Sequence, residues 1–319
     1  MKKHVFDTPP ASSVDAHELL DRAKREVDRR DPQTLMALAE PLYCLAQDKS
    51  LLQKYINLGL AQWQKGLLHF YSSQSCQIAS LGGFGIRINL WPLLPSDPRR
   101  RAILADVLSY FDFHDHNFSF ITANYSGPGY ETELYSYQRG EIAGYPGEKI
   151  KLDYQGRHCL DDKTVMLYEE FCDVHSQLPP AAPSASINLM MTTEFSGLTN
   201  QHFFDPHVGR ITGYVGSFSH KRVNAIGFAR HFHDDETMTL LEQILETHEC
   251  SRTRVEAAQV LVALCGESAL SATSKRKLLR DPLAQALWSS AAVHAEIIAG
   301  PGVDEQAGDA DASACCRTD

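Results

Sequence analysis

The sequence has no long hydrophobic run. No segment approaches the roughly 18 consecutive apolar residues that a membrane-spanning helix needs. The chain begins with Met1-Lys2-Lys3-His4 and continues into Asp7-Thr8-Pro9-Pro10, where a secretory signal would carry an apolar segment. We therefore expect neither a membrane span nor secretion.

The sequence is also poor in positive charge. It has 30 Lys and Arg against 40 Asp and Glu, which gives a formal net charge of −10 and an isoelectric point near 5.8. Nucleic acids and anionic membranes bind surfaces that carry an excess of positive charge. The balance argues against nucleic acid or an anionic membrane as a partner.

Cysteine is present, but without the spacing of a disulfide framework or a zinc site. The eight cysteines are scattered, none forms a CxxC pair, and Cys315 and Cys316 are adjacent near the end of the sequence. This pattern is typical of reduced thiols, so we expect a cytoplasmic location.

What the sequence does contain is a change of periodicity. Apolar residues recur at helical spacing from Val14 onward and again after Asp234. Between these regions, short alternating runs are separated by turns such as Ser126-Gly127-Pro128-Gly129, a pattern typical of an antiparallel sandwich or barrel. We predict a mainly β protein with flanking helices, divided into an N-terminal helical region packed on the barrel (1–70), the barrel (71–233), a C-terminal helical region (234–299) and a disordered tail (300–319).

One motif in the predicted barrel carries metal-binding chemistry. His114 and His116 lie in residues 110–120, an aromatic and apolar segment suited to a strand, and residues i and i+2 of a strand point to the same face. His175 follows the strand-like run Thr164–Tyr168. Three imidazoles that meet inside a barrel leave coordination positions open, as an O₂-activating iron or a Lewis-acid zinc requires.

The order of these motifs resembles that of the cupin superfamily, and within it the three-histidine thiol dioxygenases typified by cysteine dioxygenase. The resemblance covers about residues 111–195: an HxH pair followed by a strand and a glycine turn, then His175 before a Pro- and Ser-rich strand. The glutamate of the wider cupin pattern is absent, since Phe120 and Ile121 stand at its positions. The resemblance implies a double-stranded β-helix barrel with an Fe(II) site at the three histidines.

The chain departs from that family at the positions of its thioether crosslink. Ile121 stands where the animal enzymes have a cysteine, and Met190 stands where they have a tyrosine, so cysteine itself is not the expected substrate. The family's carboxylate-binding arginine would fall upstream of the HxH pair, and Arg87 is its counterpart here. We expect Arg87 to bind a substrate carboxylate, because a guanidinium offers bidentate geometry and stays charged when buried; the alternative is a surface ion pair. We expect the barrel tyrosines mainly to pack, and take Tyr125 as the phenol that reaches the metal and donates a proton.

We therefore expect an oxidoreductase: a mononuclear non-haem Fe(II) oxygenase, or dioxygenase, that acts with O₂ on a small amino acid-, amine- or thiol-like substrate chelated at the iron. Two alternatives stay open. The first is a zinc or nickel cupin acting as an isomerase, lyase or hydrolase, and the second is a binding or scaffold protein without catalysis. Glu131 and Glu133 alternate onto one strand face and are further candidates as ligands or as acid and base, although solvated strand positions explain them as well.

Overall fold

The computed structural model describes residues 2–8, 13–61, 69–70, 72, 74–216 and 218–289 of the 319-residue chain. The tail predicted at 300–319 and the end of the predicted C-terminal helical region lie outside the described residues. The strands that carry the predicted ligands all lie within them.

Helices precede the barrel, as the periodicity predicts. They are α1 (Ala16–Glu26), a 3₁₀ helix (Pro32–Leu38), α2 (Ala39–Gln47) and α3 (Leu51–Ala61). Before α1, the carboxylate of Asp15 accepts hydrogen bonds from two backbone N–H groups of the first turn, which would otherwise have no partner inside the helix. Leu19, Leu20 and Ala23 recur at helical spacing and are buried, so one face of α1 packs against the rest of the protein.

The strands form two antiparallel sheets. They are β1 (Lys3–Val5), β2 (His69–Phe70), β3 (Ser75–Leu81), β4 (Phe84–Trp91), β5 (Phe113–His114), β6 (Ser119–Ser126), β7 (Tyr130–Ser136), β8 (Asp153–Leu160), β9 (Thr164–Tyr168), β10 (Asp173–Gln177), β11 (Ser184–Met191), β12 (His202–Asp205) and β13 (Arg210–Tyr214). Helix α4 (Pro98–Val107) lies between β4 and β5. Helices α5 (Phe218–Phe228), α6 (Asp235–Thr247), α7 (Ser251–Cys265) and α8 (Ala272–Arg280) follow β13.

The order of the strands defines the fold. The larger sheet runs β1-β9-β6-β11-β4-β3-β2, and the smaller sheet runs β13-β12-β5-β10-β7-β8. The consecutive strands β4 to β11 supply β4-β11-β6-β9 in one sheet and β5-β10-β7-β8 in the other. This is the strand order of a jelly roll, the double-stranded β-helix of cupins. The predicted antiparallel cupin barrel with flanking helices is therefore confirmed.

The larger sheet is covered on both faces. On β6, Ile121, Ala123 and Tyr125 belong to an outer core shared with the N-terminal helices, whereas Phe120 belongs to the core between the two sheets. Successive residues of a strand point to opposite faces. The position of a residue along its strand thus decides whether its side chain reaches the barrel interior or the helical layer.

Two element boundaries differ from the sequence prediction. Lys3–Val5 form an edge strand that pairs with β9, within the region predicted to be helical. All three residues are exposed, so no burial pattern distinguishes this strand in the sequence. Helical structure returns with α5 at Phe218, before the predicted start at residue 234.

The C-terminal helices share a core of their own, to which α5, α6, α7 and α8 all contribute. They also contact the barrel region. Arg222 of α5 donates a hydrogen bond to the carbonyl of Gly197 at 2.8 Å, and the guanidinium carbon of Arg252 in α7 lies 3.9 Å from the ring centre of Tyr214. Among the described residues, we find no helix with both the length and the apolar character needed to cross a membrane.

Candidate metal centre

Two of the predicted ligands lie opposite each other on neighbouring strands of the smaller sheet. His175 of β10 pairs with His114 of β5 in the antiparallel ladder, and Phe203 of β12 pairs with His114 from the other side. Strand β5 ends at His114, so His116 lies just beyond it. The strand is shorter than the sequence predicts, yet the side chain of His116 still turns toward the other two.

The structure brings all three histidines together. One candidate ligand atom from each of His114, His116 and His175 lies within 4.8 Å of the others. Nε2 of His116 is 2.9 Å from Nε2 of His175. Two donor atoms about 2.1 Å from one ion and about 90° apart would themselves be about 3 Å apart. The spacing therefore fits two nitrogens of a single coordination sphere.

Each imidazole uses its other nitrogen, Nδ1, to contact the protein. The contacts are His114 Nδ1 to the carbonyl of Asp112 at 3.0 Å, His116 Nδ1 to Oε1 of Gln201 at 3.1 Å, and His175 Nδ1 to the side-chain amide of Gln177 at 3.1 Å. Contacts of this kind orient the ring and decide which nitrogen carries the proton. They leave Nε2 of each ring as the atom available to an ion.

The surroundings keep these imidazoles neutral. The pKa of His175 lies well below its ordinary value, first because burial removes water from the ring, and then because positive charge on His114, His116 and Arg87 would oppose a further cation. Burial likewise lowers the pKa of His116 strongly and lowers that of His114. A neutral imidazole keeps a free lone pair, so the chemistry of this donor set fits a divalent metal ion.

The histidines line a cavity of about 160 Å³ between the two sheets. Trp91, Phe120 and Leu108 give it apolar walls. Its polar lining includes Gln74, Ser75, Arg87, Asn89, Gln177 and Asn188. No carboxylate lines this cavity in the part of the chain that the structure describes. The space is suited to a small ligand with polar or anionic groups.

Arg87 lies beside the cavity. It sits in β4 directly opposite Asn188 of β11, and both side chains line the cavity. The guanidinium carbon is 5.7 Å from the ring centre of Phe118. Arg87 is the one permanently charged side chain among the described lining residues, so it gives the cavity a positive wall in addition to the histidines.

Tyr125 lies on the other face of its strand, and here the prediction needs correction. The Tyr125 ring packs with Ile121 and Ala123 in the outer core. Its hydroxyl donates a hydrogen bond to the carbonyl of Asp48 at 3.0 Å and accepts one from the N–H of Leu52 at 3.2 Å. Tyr125 therefore ties the helical layer to the sheet, and its phenol does not reach the three histidines.

The phenol that lines the cavity belongs to Tyr130 of β7, which sequence reasoning had grouped with the packing tyrosines. Tyr130 and Tyr168 both belong to the core between the two sheets. The ring of Tyr168 in turn packs 4.4 Å from the ring of His175, measured between centroids. Burial raises the pKa of Tyr130, so its phenol keeps its proton at neutral pH and can act as a donor.

Glu131 and Glu133 lie on the outer side of β7. Arg157 of the neighbouring strand β8 forms ion pairs with both, at 3.6 Å and 2.7 Å. Neither carboxylate lines the cavity. Both glutamates thus occupy solvated strand positions, which was the alternative to a role as metal ligands or as acid and base.

Asp115, between the two histidines of the HxH motif, points away from them. One of its oxygens accepts a hydrogen bond from the backbone N–H of His202 at 2.6 Å, and the other lies 3.2 Å from Nδ1 of the same residue. Both side chains are fully buried. The carboxylate thus holds the short strand β5 against β12 from the side opposite to the candidate ligands.

No family model and no curated protein matches the sequence. Solved structures with partial similarity include a sugar phosphate isomerase of the cupin superfamily from Silicibacter pomeroyi, with 9% identity and a TM-score of 0.25 over 41% of this chain and 66% of that one. The DMSP lyase DddQ from Ruegeria pomeroyi is 12% identical, with a TM-score of 0.21 over 38% of this chain and 47% of that one. Fe(II) HppE is 9% identical, with a TM-score of 0.20 over 37% of this chain and 51% of that one. This chain thus spans about half to two thirds of each neighbour. Because these TM-scores are low, the fold assignment rests on the strand order itself.

The chain has a double-stranded β-helix of the cupin type. Three of its histidines, two buried and one half-buried, could hold a metal ion at the wall of a small polar cavity.

Proposed function

We propose that the protein is a metal-dependent enzyme, a mononuclear non-haem Fe(II) oxygenase that acts with O₂ on a small polar substrate carrying a carboxylate. The observation that supports it is the convergence of three neutral imidazoles beside a cavity lined by Arg87. His114, His116 and His175 would hold the ion through Nε2. Iron bound there would supply the redox chemistry with O₂ that amino-acid side chains lack.

The charges around the site favour an anionic substrate. Three neutral ligands leave the charge of a divalent ion uncompensated, and no described carboxylate lines the cavity. The substrate would have to bring the negative charge itself. Arg87 would bind its carboxylate through two parallel N–H donors, and the amides of Asn89 and Asn188 would contact its remaining polar groups.

The same arrangement argues against 2-oxoglutarate as a co-substrate. Oxygenases that use it hold iron with two histidines and one carboxylate. The second position of the HxH motif would then be Asp or Glu, whereas this chain has His116. The proposed reaction therefore needs only the substrate and O₂.

The remaining cavity groups would control protons and water. The Tyr130 phenol, protonated at neutral pH, would donate a hydrogen bond or a proton to the bound substrate. Trp91 closes part of the wall, and its indole N–H donates to Oγ of Ser186 at 3.0 Å, which fixes the ring. A fixed aromatic wall keeps bulk water away from the reacting groups.

One observation also favours a second candidate function. The donor set consists of imidazoles alone, and three histidines are a known ligand set of catalytic zinc. An isomerase, lyase or hydrolase would use the ion as a Lewis acid and Tyr130 as a proton donor, without O₂. The identity of the metal separates the two candidates.

The test combines metal analysis with O₂ uptake. Protein purified without added metal would be assayed for iron, zinc and nickel, and O₂ consumption would be followed on a panel of amino acids, amines and thiols. We expect iron at about one per chain and uptake that does not require 2-oxoglutarate. His175→Ala should abolish stoichiometric binding, whereas substitution of the exposed His231 by Ala should leave it unchanged.

Two results would contradict the oxygenase. Turnover with zinc and without iron would favour the Lewis-acid enzyme instead. Full metal occupancy in the His175→Ala protein would show that the ion binds elsewhere.

A further inference from the structure

A second cavity lies on the same face of the larger sheet as the cavity at the histidines. Its volume is about 440 Å³, and its described lining residues all come from β3, the turn that follows, β4 and the end of β11. Met190, one of these residues, belongs to the core between the two sheets. Gly85 pairs directly with Met190 in the β4–β11 ladder, so both positions face the barrel interior. We call this cavity the Gly85 groove.

Arg87 lies between the two cavities. It lines the cavity at the histidines, and Gln77, its direct partner in the β3–β4 ladder, lines the Gly85 groove. Along β4, Gly85 precedes Arg87 by two positions, which on a strand means the same face and a distance of about 7 Å. Along β11, the same spacing separates Asn188 at the first cavity from Met190 at the groove. A molecule held at Arg87 can therefore reach the histidines on one side and the groove on the other.

The groove depends on the absence of a side chain at position 85. A Cβ added to Gly85 would lie 3.2 Å from Cε of Met190 and 4.0 Å from Cδ of Gln77, so a side chain here would fill the space between them. The backbone does not itself require glycine, because Gly85 is not among the glycines with positive φ. Glycine inside a strand often marks a site where a ligand approaches the backbone closely.

The groove is lined by uncharged groups. No charged side chain is among its described lining residues. The lining includes three polar and three larger apolar residues: Gln77, Ser80, Thr192, Leu81, Phe84 and Met190. Arg29 lies next to Gly83, but its guanidinium donates to the carbonyl of Thr192, with Nε at 2.9 Å. Such a surface suits a neutral chain that has both apolar atoms and a hydrogen-bonding group such as an amide.

We propose that the substrate is an amino acid, or a related carboxylate, whose amino group carries a neutral acyl arm, and that the Gly85 groove binds this arm. The carboxylate at Arg87 would lie at the branching point. The reactive group would extend toward the histidines, and the arm would lie between Gln77 and Met190. Gln77 can both donate to and accept from an amide. The inference rests on the proposed function for the carboxylate at Arg87 and extends it to a substrate that occupies both cavities.

The methyl group of Met190 provides a direct readout of the groove. In protein labelled with ¹³C at the methionine methyl groups, a Met190→Leu variant identifies its signal among the six methionines. The probes are N-formylalanine, N-pentanoylalanine and N-succinylalanine, which share the carboxylate and the amide but differ in the arm. N-pentanoylalanine should shift the Met190 signal and bind about tenfold more tightly than N-formylalanine, because its arm buries apolar surface. N-succinylalanine, whose arm ends in a negative charge, should bind more weakly than N-pentanoylalanine.

Gly85→Val and Gly213→Val form a matched pair of strand variants. Valine at position 85 would enter the groove and should abolish the tenfold preference for the long arm. At Gly213 in β13, an added Cβ meets no described atom within 4 Å, and φ is again not positive, so Gly213→Val should keep the preference. Gly85→Ala serves if the valine variant does not fold, since its methyl group displaces only the flexible end of Met190. It should reduce the preference at least about threefold.

Binding is measured with and without zinc, which separates this inference from the proposed metal site. The groove assignment is refuted if N-pentanoylalanine does not bind, if it binds no more tightly than N-formylalanine, or if the two valine variants behave alike. Tighter binding of N-succinylalanine would refute the neutral arm. A protein that takes up no metal but keeps the preference for the long arm would refute the metal site and support the groove.

Discussion

The hydroxyl of Tyr137 donates a 2.7 Å hydrogen bond to the carboxylate of Asp115, and both side chains are buried. The same carboxylate accepts from the backbone N–H of His202. Asp115 stands between His114 and His116 in the sequence but on the opposite face of the chain. One carboxylate therefore fixes, from behind, the segment that presents two of the three candidate ligands.

Asp115→Ala should lower the free energy of unfolding by about 3 kcal/mol, because it leaves the buried Tyr137 hydroxyl and the N–H of His202 without their acceptor. It should also weaken zinc binding, since the HxH segment loses its support. Urea unfolding of metal-free protein and zinc titration measure the two effects. Tyr137→Phe removes a single hydrogen bond and should cost about 1 kcal/mol. Equal stability of wild type and Asp115→Ala would contradict the supporting role.

Tyr130 and Tyr125 form a matched pair for testing the cavity. Tyr130→Phe should lower kcat at least about tenfold and leave metal binding unchanged, because it removes a proton donor from the cavity. Tyr125→Phe should leave kcat unchanged and lower stability by about 1 kcal/mol, since its hydroxyl bonds only to the helical layer. Steady-state kinetics and urea unfolding of both variants provide the measurement. If only Tyr125→Phe lost turnover, Tyr125 rather than Tyr130 would be the proton donor.

Arg87→Lys should raise KM about tenfold, with a smaller effect on kcat. Lysine keeps the positive charge but loses the second parallel donor, which is worth about 1.5 kcal/mol in binding a carboxylate. The difference in KM between wild type and Arg87→Lys should disappear for a substrate analogue in which an amide replaces the carboxylate. Arg157→Lys, on the outer face of the barrel, serves as the control. An equal rise in KM for the amide analogue would show that Arg87 does not bind the carboxylate.

Burial of the Glu170 carboxyl should make the free energy of unfolding depend on pH. Burial raises its pKa from 4.5 to about 6. Between these values the folded protein binds more protons at this position than the unfolded chain, so the free energy of unfolding falls as the pH rises through this window, by at most about 2 kcal/mol. Glu170→Gln should reduce this slope, and Asp173, whose pKa burial also raises to about 6, should retain the rest. Glu249→Gln, at an exposed position, should preserve the full slope. Urea unfolding of the three proteins between pH 4 and 7 makes the comparison.

The sequence predicted those parts of the molecule that depend on regular spacing. Short alternating runs separated by turns indicated the barrel, and the order of the motifs indicated which histidines meet. Gln177 also falls within reach of such reasoning, because it follows His175 by two positions on one strand. Spacing along a strand is set by the backbone alone, so it can be read from the sequence before any packing is known.

The placements of Tyr125 and Gln201 could not be predicted from spacing along the sequence, for different reasons. Strand β6 is buried on both faces up to Tyr125, because helices cover its outer side, and no alternation of polar and apolar residues shows which face is interior. Gln201 reaches His116 across 85 positions of sequence, only because it precedes β12, which pairs with β5. Both assignments depend on tertiary packing, which local patterns do not record.

The candidate ligands and the side chains opposite them come from different sheets. The histidines belong to the smaller sheet and the segment beyond β5, while Arg87, Asn89 and Asn188 belong to the larger one, which rests on the N-terminal helices. Under the proposed function, substrate recognition and metal binding would depend on different sheets, which can vary separately. Substitutions on β4, on β11 or in the helical layer behind them can select a new substrate while every ligand stays in place, so descendants of this chain could diverge in specificity without first losing their chemistry.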